Sequence, residues 1–89
     1  MMVLQLRVIG REDCHLCHDM VADLQVLQKR FAFDLMWLDI EDDVALQELW
    51  AMKIPVLLDE MGCELCHGRL NVDVLEQRFL SHRGSVNNG

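Results

Sequence analysis

The sequence predicts an α/β fold: a four-stranded mixed sheet with three helices, in the order β-α-β-α-β-β-α. Three observations carry that expectation. Two short apolar runs, residues 3–9 and 33–40, are each followed by a helix-like stretch, and a strand–helix–strand crossover sets its two strands side by side in parallel. Residues 16–31 repeat apolar side chains at helical spacing. Near the C-terminal end two further short runs flank Glu60-Met61-Gly62, which reads as a hairpin turn and so as an antiparallel pair.

Each element has its own reason. Val3-Leu4-Gln5-Leu6-Arg7-Val8-Ile9 is short, partly β-branched and stops at Gly10, with apolar residues facing both ways as in a covered central strand. Leu16, Met20, Leu24, Leu27 and Phe31, with Val21 beside them, follow at spacings of three and four and define one face of a first helix. Phe33 to Ile40 forms a second strand with Phe33, Leu35 and Trp37 on one face. Glu41-Asp42-Asp43 supplies acidic capping residues for a second helix carrying Val44, Leu46, Leu49 and Trp50.

Lys53-Ile54-Pro55 ends that helix, because a residue before proline is pushed out of the helical region. Val56 to Asp59 is a third strand and Cys63 to His67 the returning one, ending at Gly68. Asn71 is placed to cap a last helix with Val72, Leu75 and Phe79 inward. Trp37, Trp50 and most methionines read as core. The domain is expected over residues 1–80, with 81–89 a polar, flexible tail.

With 89 residues the chain is one domain, and 52% hydrophobic composition is enough for a core without disulfide staples. A net charge of −7, with Arg7, Arg11, Lys29, Arg30, Lys53, Arg69, Arg78 and Arg83 scattered, gives no basic stripe for nucleic acid or an anionic membrane. Residues 1–10 do not resemble a signal peptide, and no run approaches the ~18 apolar residues of a membrane span. A cytoplasmic protein is expected, and the cytosol keeps most thiols reduced. Four cysteines in two C-x-x-C pairs then point to redox or metal chemistry rather than to structural bridges.

Cys14-His15-Leu16-Cys17-His18 stands where the first strand hands over to the first helix. The pentapeptide has three readings: a thiol pair that exchanges electrons, a haem-attachment sequence, or half of a zinc site. Cys63-Glu64-Leu65-Cys66-His67 repeats the pattern in a predicted strand. Haem attachment fits poorly in a strand and without an export signal. A shared zinc or iron–sulfur site would need Cys17 and Cys63 to meet across many more residues than the ~15–20 of compact zinc ribbons.

The combination of C-x-x-C after the first strand with Ile54-Pro55 opening the third resembles the thioredoxin fold. Over Val3 to Leu80 it looks most like the small glutaredoxin-like proteins with a Cys-His-Leu-Cys centre. That resemblance implies a thiol–disulfide oxidoreductase, with Cys14 and Cys17 as the reacting pair. It also implies a cis Pro55 facing them, with the backbone of Ile54 aligning a substrate strand. Physical chemistry agrees with the first part. A cysteine at a helix N-terminus is favoured as thiolate, and one a turn further in is placed to attack a mixed disulfide.

The neighbours depart from glutathione-using relatives, which commonly carry a proline and a tyrosine between the cysteines and a lysine shortly before them. Here His15-Leu16 fills the gap and Arg11-Glu12-Asp13 precedes it, and the acidic side chains, with Asp19, oppose a thiolate. Arg11 is the one candidate in that loop for binding an anionic partner. No cofactor or metal is expected, with glutathione only as a weakly supported reductant. The partners expected are a disulfide substrate or a thiol reductant, and the chain is expected to be a monomer. The second class of reading is a binding module that kept the fold and lost general reductase activity.

Cys63 and Cys66 raise a separate question. Residues three apart in a strand are ~10 Å apart at ~3.3 Å per residue, beyond the ~7 Å that a disulfide tolerates. Cys63 is therefore read as a buried, inert thiol, and Cys66 as the one nearer the substrate groove.

Overall fold

The computed structural model describes residues 3–87, with side chains as far as Ser81. Its elements are β1 (Leu4–Gly10), α1 (His15–Leu27), β2 (Phe33–Asp39), α2 (Val44–Trp50), β3 (Val56–Leu58), β4 (Glu64–His67) and α3 (Val72–Asn87). A 3₁₀ turn at Ile40–Asp42 joins β2 to α2. The order is the predicted β-α-β-α-β-β-α around a four-stranded mixed sheet.

Alternation along β1 sends Leu4, Leu6 and Val8 to one face and Ile9 to the other, and all four are buried. A strand apolar on both faces belongs inside a sheet, and the strand order is β2-β1-β3-β4. β1 pairs in parallel with β2, Val8 opposite Trp37, and antiparallel with β3, Val8 opposite Leu57. β3 pairs antiparallel with β4, with an irregularity between Leu57 and Leu58 where the register slips.

Three layers follow. On one face the side chains of β1 meet Met20, Leu24 and Leu27 of α1 and Leu75 of α3, with Phe79 packed alongside. On the other, Ile9, Ile40, Val56 and Leu58 are covered by Leu46 and Trp50 of α2. The buried face of α1 is Cys17, Met20, Leu24 and Leu27, whereas Leu16 is exposed. Met20, Leu24 and Leu27 hold the expected face, and only its first position differs: Cys17 and not Leu16 points inward there. Phe31 lies beyond the end of α1 and packs on Phe79 with ring centroids 4.7 Å apart.

In α2 only Leu46 and Trp50, one turn apart, face the sheet. Val44 and Leu49 are exposed, so the seven-residue helix presents a narrower stripe than the sequence suggested. Asp43 caps it, its carboxylate accepting from the N–H groups of Ala45 at 2.8 Å and Leu46 at 3.4 Å. Of the methionines at 20, 36, 52 and 61 only Met20 is buried, and Met36, Met52 and Met61 are exposed, so the expectation that most are core does not hold.

The hairpin between β3 and β4 is organised by a buried carboxylate. Asp59 Oδ1 accepts from the N–H groups of Met61 and Cys63 at 2.8 and 2.9 Å, and Arg78 of α3 approaches Oδ2 at 3.5 Å. Gly62 takes the positive φ of 82° that the turn needs. Asn71 Oδ1 accepts from the N–H of Val74 at 3.2 Å, as a cap of α3 should. α3 runs past Leu80 to Asn87, so the helical backbone extends through most of the segment expected as a tail; Asn88 and Gly89 lie outside the described residues.

Leu24→Ala in the oxidised protein is expected to lower the unfolding free energy by about 2–5 kcal/mol in urea titration. Leu16→Ala should change it by less than about 0.5 kcal/mol, because that side chain is exposed.

Candidate functional site

The loop after β1 turns back on itself at once. The Cys14 N–H donates to the Arg11 carbonyl at 3.1 Å, closing a tight turn over residues 11–14. Cys14 is then the N-cap of α1, in extended conformation with φ −96° and ψ 109°. Its Sγ accepts from the backbone N–H of Cys17 at 3.2 Å, a cap made with sulfur where oxygen is usual. Cys14 and Cys17 are joined in a disulfide with their Cα atoms 5.2 Å apart, the separation that one helical turn supplies.

The two sulfur-bearing residues differ in access. Cys17 is wholly buried, and Cys14 is half-buried at the surface of the loop. Gly10, at the end of β1, lies close to both Cys17 and an aromatic side chain from β2. A Cβ at Gly10 would stand 2.6 Å from Trp37 Cη2 and 3.0 Å from Cys17 Sγ, so only a residue without a side chain fits. Trp37 was read as core, yet it remains 36% exposed. It lies on β2 opposite Val8, at an edge of the sheet, and its ring stacks on His18 of α1.

Sheet pairing delivers the other expected residues. Val56 of β3 is opposite Ile9, so the Ile54-Pro55 segment arrives beside Gly10 and the loop that bears Cys14. The Ile54-Pro55 bond is cis and Pro55 is buried, while Ile54 is partly exposed against the α2 cluster. Pro55 O accepts from the Gly68 N–H at 2.7 Å, which brings the end of β4 to the same end of the sheet. Gly68, with φ 75°, turns the chain there. A groove of about 320 Å³ separates the loop after β4 from the first half of α1, between Gly68, Arg69 and Leu70 on one side and Leu16, Asp19 and Met20 on the other.

Charge around the pair is mixed and mostly compensated within the chain. Arg11 Nε lies 3.5 Å from Glu41 and 4.0 Å from Asp13, a charge pairing without a hydrogen bond to that buried atom. Its cation is therefore shared with two carboxylates before any partner arrives. His15 lies 3.7 Å from Asp19. On the far edge, a hydrogen bond from His67 holds the Glu64 carboxyl below its ordinary range against a desolvation that raises it, and Lys53 adds to the lowering.

Cys63 and Cys66 are free thiols. Cys63 is exposed, against the expectation of a buried thiol, because β4 begins one residue later and leaves Cys63 in the turn that Asp59 organises. Cys66, opposite Leu57, packs against the main core, and burial pushes its thiol upward while a backbone hydrogen bond from Asn71 pulls it down. Among the described residues no three His, Cys, Asp or Glu side chains gather as metal ligands would. No described helix is long and apolar enough to cross a membrane.

Comparison with known proteins fits this geometry. The family described as Glutaredoxin-like domain (DUF836) matches residues 5–80. Protein Ne2328 from Nitrosomonas europaea, solved by NMR, is 39% identical with a TM-score of 0.82, over 89% of this chain and 94% of its own. The X-ray structure of XcR50 from X. campestris is similar at 32% identity and a TM-score of 0.63, over 85% of this chain and 96% of its own. A malarial protein at 14% identity and a TM-score of 0.62 shares the fold alone, over 89% and 99% of the two chains. No curated protein matches the sequence.

Gly10→Ala is expected to destabilise the oxidised protein by about 1–3 kcal/mol through overpacking, and to change the Trp37 environment, read as melting temperature and tryptophan emission. With the Cys14–Cys17 disulfide intact, alkylation by iodoacetamide at pH 8 should label Cys63 well before Cys66. The Cys66 rate should rise only at higher pH, because its raised pKa leaves little thiolate at pH 8.

Proposed function

This chain belongs to the glutaredoxin-like domain family, and from that membership we propose that it is a thiol–disulfide oxidoreductase acting through Cys14 and Cys17. The observation that carries the reading is the unequal access of two bonded sulfurs at the start of a helix, with the proline loop brought to the same end of the sheet.

In the reduced protein the Cys14 thiolate attacks one sulfur of a substrate disulfide. A Cys14–substrate disulfide forms, the substrate S–S bond breaks, and the other substrate sulfur leaves as a thiolate that takes up a proton. Cys17, one turn away and shielded from bulk partners, then loses its proton and attacks Cys14 Sγ. The mixed disulfide breaks, the second substrate thiol leaves, and the Cys14–Cys17 disulfide remains. Two electrons have passed from the dithiol to the substrate. A thiol reductant returns the pair to its starting state by the reverse exchange.

The Cys17 N–H that donates to Cys14 Sγ, and the helix behind it, favour negative charge on that sulfur. Glu12, Asp13 and Asp19 act against it, so the Cys14 thiolate is held less strongly than in a basic setting. The backbone around Ile54 and Pro55 offers the surface on which an extended substrate segment aligns, next to the groove along α1. Arg11, already paired within the chain, gives a weak handle for glutathione, so a protein disulfide is the substrate class we favour. The chain acts as a monomer and requires no cofactor. The free thiols of Cys63 and Cys66 fit work in a reducing compartment such as the cytoplasm.

The test is reduction of an insulin or glutathionylated-peptide disulfide with a dithiol reductant supplied. Cys14→Ser should fall to the uncatalysed rate, and Cys17→Ser should accumulate a mixed disulfide visible by mass. Unchanged turnover in Cys14→Ser would sink the assignment.

A further inference from the structure

His18 follows the second cysteine and faces away from the core, yet it is bonded to the loop in two places. Its backbone N–H donates to the Cys14 carbonyl at 3.2 Å. Its ring Nε2 meets the Glu12 carbonyl at 2.5 Å, and since a carbonyl can only accept, that nitrogen carries the proton. The same ring stacks on Trp37, with centroids 6.0 Å apart and planes within 9°. Trp37 in turn lies against Gly10, which also borders Cys17. An open depression of about 430 Å³ lined by Glu12, His18, Val21 and Trp37 borders the imidazole.

We propose that His18 is a positioning residue that clasps the Cys14 loop in the geometry that keeps Cys14 reactive. The inference rests on the reading of Cys14 and Cys17 as the reacting pair. The backbone bond to the Cys14 carbonyl is α1's own first i→i−4 bond, which any residue there would make, and the ring's bond to the Glu12 carbonyl is what the histidine adds. The loop between those carbonyls is therefore fixed at both ends, with the Trp37 face setting the ring's orientation. Fixing it keeps Cys14 in the extended N-cap conformation in which its sulfur receives the Cys17 N–H. Without the clasp the loop can relax, and the thiolate loses a donor.

Two substitutions separate the parts of the clasp. His18→Phe keeps a flat ring for Trp37 but removes the donor. His18→Gln removes the ring stack but keeps an N–H donor at a comparable reach, and it is uncharged at every pH. Both are made in a Cys63→Ala, Cys66→Ala background, and the reduced proteins are titrated for the pH dependence of iodoacetamide alkylation at Cys14. The oxidised fraction of the pair is measured separately across a glutathione redox buffer.

His18→Phe is expected to shift the Cys14 profile to higher pH and to slow alkylation near pH 7 by roughly threefold to tenfold, the scale of one lost hydrogen bond. The equilibrium with glutathione should move toward the disulfide, because the thiolate is less favoured. His18→Gln should stay within about twofold of the parent. If both variants keep the parent's profile and equilibrium, the inference is overturned, whatever their melting temperatures do. If His18→Gln is as impaired as His18→Phe, the donated hydrogen bond is not the operative contact and the inference also fails. Should the parent pair exchange with glutathione while no disulfide substrate is reduced, the proposed function fails and the positioning role of His18 stands on the alkylation profile.

Discussion

Hydrogen bonding along both edges of β1 is the constraint from which the site follows. One edge is taken in parallel by β2 and the other antiparallel by β3, so the C-terminal end of β1 meets the end of one neighbour and the beginning of the other. Gly10, Asp39, Pro55 and Gly68 thereby reach one end of the sheet from four distant parts of the sequence. The burial of Leu4, Leu6, Val8 and Ile9 makes this arrangement costly to slip, because a shift of one residue would send Val8 and Ile9 to the wrong layers.

Against that fixed end, α1 is seated by Cys17, Met20, Leu24 and Leu27. The second cysteine is thus a core residue as well as one half of the disulfide. Cys14 is left outside the helix as its cap and stays accessible. The difference in exposure between the two sulfurs is a by-product of where the helix face begins.

The element order, the parallel and antiparallel pairings and the Asn71 cap could be read in the sequence because each rests on local chemistry: alternation, helical spacing, a turn glycine, a short polar side chain. The Cys14–Cys17 centre and Ile54-Pro55 were visible as motifs, although a shared end of the sheet was an inference from topology and resemblance. Leu16, Trp37 and Cys63 are more exposed than the sequence suggests, for a common reason. Spacing and residue type point these side chains inward, while their burial depends on which residue of a turn faces the core and where a strand begins. Gly10 was seen only as the end of a strand. Its closeness to Trp37 and Cys17 is a contact across three elements, which no local pattern encodes. His18 reads in the sequence as a polar residue near a helix start, because its ring is placed by a carbonyl six residues earlier and an aromatic on another strand.

The slipped register between β3 and β4 bears on how the molecule behaves among its own kind. β4 is four residues long, closes one side of the sheet, and carries Glu64 and His67 with a break in its pairing. An incoming strand would find too few regularly spaced backbone groups there and would have to cover charged side chains, two features by which sheet borders resist unwanted growth. The border on the opposite side, β2, is longer and shows Met36 to solvent. The two borders of this small sheet therefore differ as templates: β4 is short and irregular, and β2 is longer and regularly paired, with Asp34 and Asp39 the charges along it.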